Sequence, residues 1–408
     1  MINAGLNYFQ NKRVLMLQGP IGPFFNRLRK DLIDAGATVT KIDFNGGDWL
    51  FSGKGSIQFR GNKASWPAFF ERVVKEHRID TVLLMGDCRH YHRVAREIAH
   101  RNGMTIGVFE EGYVRPDYIT FELFGVNANS KISRVPEDYL SKPKLTVPEV
   151  VQIKNPLWFA VRWSMLYYGA SILLRPWYPF YEHHRPLEFS ESWPWLRSYF
   201  RKLWYGIIEE GIQEELVDNL SGKYYLVPLQ VHNDSQLQVH SNFSSVQNFI
   251  HQVMQSFAKH APPDTHLILK QHPLDRGYNN HRPWITELSK VLQVEDRVKY
   301  IHDQHLPTLL DHARGVVVVN STVGLSALHH GIPTKVCGVA IFDILGMTCQ
   351  CELDNFWLEA DTFEVNTELY EKFRNYVIVT TQVNGNFYRR LDGPVNRAGV
   401  IWSKQSSN

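Results

Sequence analysis

Short apolar runs rich in β-branched and aromatic residues alternate with amphipathic runs along most of the chain. Residues 14–18, 39–44, 81–85 and 105–109 read as strands, and residues 24–35, 68–77 and 91–101 carry apolar positions at helical spacing. Strand, helix, strand, repeated in this way, predicts a parallel sheet covered on both faces. A second series follows, with strands over 224–231, 266–271, 298–301, 315–319 and 334–336 and helices over 244–260, 284–292, 306–312 and 322–330. The chain therefore reads as α/β, with two Rossmann-like domains. Residues 136–148 are aperiodic and carry Pro and Lys, which sets the first boundary there. The expected division is an N-terminal domain over 1–145, a helical aromatic and basic connecting segment over 146–215, a C-terminal domain over 216–380 and a tail over 381–408.

Composition narrows the class. A chain of 408 residues exceeds what one hydrophobic core serves, in keeping with two domains. Lys and Arg number 44 against 41 Asp and Glu, a formal charge of +3, so there is no global signature of a nucleic-acid partner. Residues 1–13 lack the apolar core of a signal peptide. The uncharged stretch 163–174 has 12 residues, short of the roughly 20 that span a bilayer. Four cysteines without paired metal spacing predict a reducing compartment and no disulfide framework. Residues 158–205 stand apart, holding 16 of the 52 Trp, Tyr and Phe interleaved with Arg162, Arg175, Arg185, Arg197, Arg201 and Lys202. That mixture suits either a bilayer interface or an inter-domain helical core, and sequence alone leaves both readings open.

Ligands of open α/β sheets bind beyond the carboxyl ends of the strands, so the residues after each predicted strand are the candidates for chemistry. In the first domain these include Gly19, Pro20 and Gly22, then Asn45 and Asp48, then Asp87 and Arg89, then Glu110, Glu111 and Arg115. In the second they are Asp234, then Lys270, His272 and Pro273, then Asn320, Ser321, Thr322 and Gly324. Hydroxyls and free N–H groups where a helix begins at 322 offer a phosphate seat, and His272 at a neighbouring strand end could donate to a phosphate oxygen. Glu111 and Asp234 are the carboxylates suited to acid/base and nucleophilic work. There is no GxGxxG, no Walker motif and no Asp-x-Asp, so dinucleotide, NTPase and metal-diphosphate readings lose support. No metal is expected.

The stretches QGPIGPFF, FNGGD, GDCRHYH, FEEGYVRP, QVHNDSQ, KQHPLDRG and NSTVGLSAL, in this order, resemble the KpsS/LipB family of capsule polysaccharide synthesis. The Glu-Glu-Gly, His-Pro and Ser-Thr motifs are also similar to those of GT-B transferases that use CMP-sugars, bacterial sialyltransferases among them. The resemblance implies two domains in a GT-B-like arrangement and a β-Kdo transferase that retains configuration. The donor would be CMP-Kdo and the acceptor a phosphatidylglycerol-type lipid, starting the Kdo linker of a Gram-negative capsule. It implies a site at the cytoplasmic face of the inner membrane, with other capsule synthesis and export proteins as partners. By the same analogy Asp234 attacks the anomeric carbon, Glu111 deprotonates the acceptor, and Lys270, His272, Ser321 and Thr322 hold the phosphate of CMP. Arg89, Arg115 and the loop 19–22 are candidates for the Kdo carboxylate. The alternatives are another CMP-sugar transferase, or a capsule export component without catalysis.

Overall fold

The computed structural model describes residues 2–182, 192–231 and 240–402. The elements of its first half are β1 (Arg13–Met16), α1 (Phe24–Asp34), β2 (Thr38–Asp43), α2 (Gly46–Ser52), β3 (Ile57–Gln58), α3 (Trp66–His77), β4 (Thr81–Met85), α4 (His90–Arg101), β5 (Thr105–Glu111), β6 (Tyr118–Leu123), α5 (Glu137–Leu140) and α6 (Pro156–Leu173). There follow α7 (Ser192–Ile208), α8 (Ile212–Asp218), β7 (Tyr224–Pro228), α9 (Val246–His260), β8 (His266–Lys270), α10 (Arg282–Val291), β9 (Val298–Ile301), α11 (Leu306–Asp311), β10 (Gly315–Val318), α12 (Val323–His329), β11 (Thr334–Val336), α13 (Leu353–Glu359), α14 (Thr367–Thr381) and β12 (Gln382–Asn384).

The chain divides into two units, the first made of 1–132, 145–188 and 374–408, the second of 133–144 and 189–373. The first contains a seven-stranded sheet in the order β12-β6-β5-β4-β1-β2-β3. Strands β1 to β5 pair in parallel, whereas β6 runs antiparallel to β5, and β12 antiparallel to β6. Successive side chains of a strand face opposite ways, and both faces here are covered. Val14 and Met16 join Phe24, Phe109, Phe121 and Val383 in one core. Leu15 and Leu17 join Ile42, Phe44, Trp66 and Val82 in the other. This two-sided burial is why β1 reads as an uninterrupted apolar run.

The second unit holds a five-stranded sheet, β11-β10-β7-β8-β9, with every pairing parallel. Its core gathers Tyr225 and Val227 with Phe249, Val253 and Phe257 of α9 and with Phe356 and Trp357 of α13. Ser245 caps α9 by accepting from the Asn248 N–H.

Three expected boundaries change. Residues 381–402 are no tail, because β12 extends the first sheet and Val383, Phe387, Val400 and Trp402 lie in its core. The connecting segment 146–215 is divided between the units. Its α6 is held in the first unit, where the Tyr167 hydroxyl donates to Asp48 (3.1 Å), Ser171 accepts from the Gly47 N–H (3.1 Å) and the Trp163 indole donates to the Tyr388 carbonyl (3.0 Å). Residues 133–144, at the expected first boundary, belong to the second unit. The segment is also both core and surface: Tyr167, Tyr178 and Tyr205 are buried, while Trp158, Met165, Trp177, Trp193 and Trp204 are exposed. Among the described residues no helix is long and apolar enough to cross a membrane.

Candidate functional site

In the first sheet strand order reverses between β1 and β4, which opens a crevice at their carboxyl ends. Gln18, directly beyond β1, lies there and is 5% exposed. Its amide N–H groups face Asp48 (3.1 Å to Oδ2), Tyr167 (3.0 Å) and Tyr181 (2.9 Å), and its carbonyl oxygen accepts from Arg89 at 3.4 Å across the switch point. Gln18 carries no signal of its own in the sequence, where it is only a glutamine closing an apolar strand.

Asn45 and Asp48, read as acceptor-site candidates, are taken up inside the fold. Asn45 caps α2 by accepting from the Asp48 N–H at 2.9 Å, and donates to Tyr167 at 2.8 Å. Asp48 is buried and accepts from the Phe44 N–H at 3.1 Å. Burial, chiefly, raises its carboxyl above the usual range. The glycines between them permit close packing: a Cβ on Gly46 would lie 2.3 Å from the Ala170 carbonyl oxygen, and one on Gly47 2.5 Å from the Tyr167 ring. Gly19 and Gly22 play the same part against Phe25 and Trp163, and Pro20 is buried beside them.

Asp87 is likewise bonded within the fold. It is fully buried, pairs with Arg96 at 2.6 Å, and accepts from the Val126 N–H (3.2 Å) and the Asn129 amide (3.0 Å). A carboxylate so placed anchors the loop beyond β6. His92, in the first turn of α4, is buried with Nδ1 on the Gly86 carbonyl at 2.8 Å. Burial brings its pKa down to about 3, so the ring is neutral.

Glu110 and Glu111 remain partly exposed at the end of β5, beside β4. Glu110 turns back to accept the Glu111 N–H at 3.0 Å. Burial pushes its carboxyl up to about 7, with the Glu111 charge adding to the rise and Arg89 opposing it. Glu111 is raised too, again by burial, against the pull of Arg115 and of the Tyr388 hydroxyl 3.5 Å away. Gly112 is required at the next position, since a Cβ there would stand 2.2 Å from the Tyr118 carbonyl oxygen. Arg115 donates back to the Gly112 carbonyl at 3.3 Å. The Glu-Glu-Gly corner thus presents two carboxyls in poor dielectric, each readier to hold a proton near neutrality than an exposed glutamate.

The second sheet reverses between β7 and β10. Gln230, beyond β7, donates to the side-chain Oδ1 of Asn320 at 2.8 Å and so bridges that switch point. Ser321 accepts from the Val323 N–H at 3.3 Å, whereas Thr322, at the start of α12, makes no cap bond with its hydroxyl. Gly324 lets α12 close on Phe342, whose ring would be 2.5 Å from a Cβ. His272, beyond the adjoining β8, accepts the Leu274 N–H on Nδ1 at 3.1 Å. A neutral ring in that bond carries its proton on Nε2, as a donor. Pro273 opens the short turn that follows. Lys270 departs from expectation: it is buried and its ammonium donates to the His302 carbonyl at 2.7 Å, on the β9 side of the sheet. Burial lowers its pKa, with Asp303 and Glu209 opposing. It braces β8 against β9.

The structure therefore gathers Gln18, Arg89, Glu110 and Glu111 at the strand ends of the first sheet, and Gln230, His272, Asn320, Ser321 and Thr322 at those of the second. Asp234, the expected nucleophile, lies outside the described residues.

Residues 80–388 match the family model described as capsule polysaccharide biosynthesis protein. The chain is 38% identical over 388 residues to the capsule polysaccharide export protein KpsS of Escherichia coli, covering 95% of this chain and 99% of that protein. It is 39% identical over 392 residues to the capsule polysaccharide modification protein LipB of Neisseria meningitidis serogroup A, covering 94% and 93%. Among solved structures, WaaG, a glycosyltransferase involved in lipopolysaccharide biosynthesis, aligns over 89% of this chain and 94% of its own at 12% identity, with a TM-score of 0.31.

Proposed function

The chain belongs to the capsule polysaccharide biosynthesis family, and from that premise we propose that it is a glycosyltransferase which moves Kdo from CMP-Kdo to a phosphatidylglycerol-type lipid. The observation that carries this reading is the second sheet's switch point. There His272 follows β8 and Ser321 and Thr322 follow β10, with β7 between the two strands, and in this reading these residues hold one phosphate. A nucleoside monophosphate sugar needs a hydrogen-bond donor and N–H groups at that phosphate more than it needs a metal.

In this reading the Asp234 carboxylate attacks the anomeric carbon while the bond from that carbon to the CMP phosphate oxygen breaks. His272 Nε2–H donates to the departing phosphate, and CMP leaves. The acceptor hydroxyl then attacks the same carbon, Glu111 takes its proton, and the bond to Asp234 breaks, which restores the carboxylate. Two displacements retain configuration. A carboxyl raised by burial is a stronger base once ionised, which suits Glu111 to the second step. Arg89, held by Gln18, and Arg115 are candidates to face the Kdo carboxylate. The reading includes a location at the cytoplasmic face of the inner membrane.

Thermal unfolding with CMP tests the donor half. CMP at a hundredfold excess over its Kd is expected to stabilise the protein by about 2.7 kcal/mol, UMP much less, and His272→Ala with Thr322→Val should lose most of the effect. A cooperative melt that CMP leaves unmoved would favour the export-component reading, in line with the name of the Escherichia coli export protein KpsS.

A further inference from the structure

Helix α7 is built inside out. Surface helices of water-soluble proteins bury an apolar stripe and turn polar residues outward. In α7 the residues at positions 193, 196, 200, 203, 204 and 207 form one helical stripe, Trp, Leu, Phe, Leu, Trp and Ile, and they are 49–67% exposed. The row facing the body of the second unit is the polar one. Arg197 donates to the carbonyl oxygens of Gly277 (2.6 Å) and Tyr278 (3.1 Å), and Arg201 to that of Arg276 (2.7 Å). One turn on, Tyr205 stacks on His302, with ring centroids 3.5 Å apart. Just past the helix, buried Glu209 accepts from the His302 N–H (3.0 Å) and from Arg282 (2.8 Å).

We infer that the outer face of α7 docks on an anionic lipid surface and that its inner row fixes the His272 loop to that surface. Charge selects this occupant. The 17 residues of α7 contain Arg197, Arg201 and Lys202 and no carboxylate. Among the described residues neither arginine is paired with an acidic side chain, and Lys202 is exposed beside the apolar stripe. Trp and Tyr with uncompensated cations are what a headgroup region takes up. The helix lies on the surface without crossing it, since no described helix is long and apolar enough to span.

The inner row gives docking a consequence. Arg276, Gly277 and Tyr278, whose carbonyls Arg197 and Arg201 hold, follow His272 and Pro273 in the same loop. Gly277 closes so tightly on α7 that a Cβ would stand 2.1 Å from the Pro194 carbonyl oxygen. Wherever α7 rests, the His272 loop rests with it. This consequence leans on the transferase reading; the docking itself does not.

The test is co-sedimentation of the full chain with phosphatidylcholine vesicles with and without phosphatidylglycerol, alongside the combined variant Trp193→Ser, Phe200→Ser, Leu203→Ser and Ile207→Ser. Wild type should partition to the phosphatidylglycerol vesicles and the variant about tenfold less or lower, at an unchanged melting temperature because all four side chains are exposed. Gly277→Ala, which disturbs the seam between the His272 loop and α7 and removes no charge, should keep vesicle binding and lose CMP-induced stabilisation. Equal binding by wild type and variant, or no binding by folded wild type, would overturn the inference. So would a solution dimer that the variant dissociates, which would assign the face to a second copy. Vesicle binding without sugar transfer sinks the transferase reading alone, and transfer to a soluble short-chain acceptor without vesicle binding sinks the docking alone.

Discussion

Glu111→Gln is expected to lower sugar transfer by about 10²- to 10⁴-fold, the usual worth of a positioned general base, while making the protein no less stable. The two halves of this expectation have one cause. Burial at the end of β5 holds the Glu111 carboxyl above its ordinary value, so its ionised form is disfavoured in the folded state. A carboxyl raised in this way contributes stability that is complete below its unfolded value of about 4.5 and is lost as pH rises through the folded one. Glutamine, which does not ionise, escapes that loss, so the variant should gain on wild type as pH climbs above about 4.5. Transfer by wild type should fall on the acid side as Glu111 takes up a proton. Arg115 opposes the rise, so Arg115→Ala should move the acid limb of the pH–rate profile to higher pH. Initial rates and urea unfolding at several pH values measure both. A variant that keeps more than a tenth of wild-type activity would remove Glu111 from the role of base.

Asp87→Ala is expected to do the opposite: it should cost about 3–5 kcal/mol of stability, the range for removing one partner of a buried ion pair. Loss of activity should follow only through loss of folded protein. The carboxylate is fully buried and answers Arg96, the Val126 N–H and the Asn129 amide at once, so its removal leaves three donors without their acceptor. Urea unfolding with activity scaled to the folded fraction separates the two effects. A change below about 1 kcal/mol, within the range of surface substitutions, would mean that the loop beyond β6 does not depend on Asp87.

These two carboxylates show where the sequence was legible and where it was not. Glu111 and Asp87 both follow apolar strands, and residue type and position alone give them the same standing. What divides them is direction: one edges the crevice, the other turns into the loop that returns from β6. Lys270 is ambiguous in sequence for the same reason, because residue type alone does not tell whether its ammonium serves a ligand or the His302 carbonyl that it meets in the fold. The parallel strands themselves were readable because both faces of each are buried, which demands continuous apolar runs. Strand β12 was not, since Gln382 and Asn384 are polar. They are buried by serving the backbone, Gln382 through the Tyr113 N–H at 3.0 Å and Asn384 through the Asp117 carbonyl at 2.8 Å. The polarity of α7 was hidden in the same way. Its composition announced aromatic and basic residues, but an arginine whose partners are carbonyl oxygens of a distant loop looks, in sequence, like one that faces water.

The central claim is transfer of one Kdo to a lipid, and the most direct measurement is the mass of a fluorescent lyso-phosphatidylglycerol after incubation with CMP-Kdo and the full chain. A product heavier by a single Kdo is expected from wild type and not from Asp234→Ala. An acceptor of unchanged mass, in a preparation that is folded and stabilised by CMP, would contradict it.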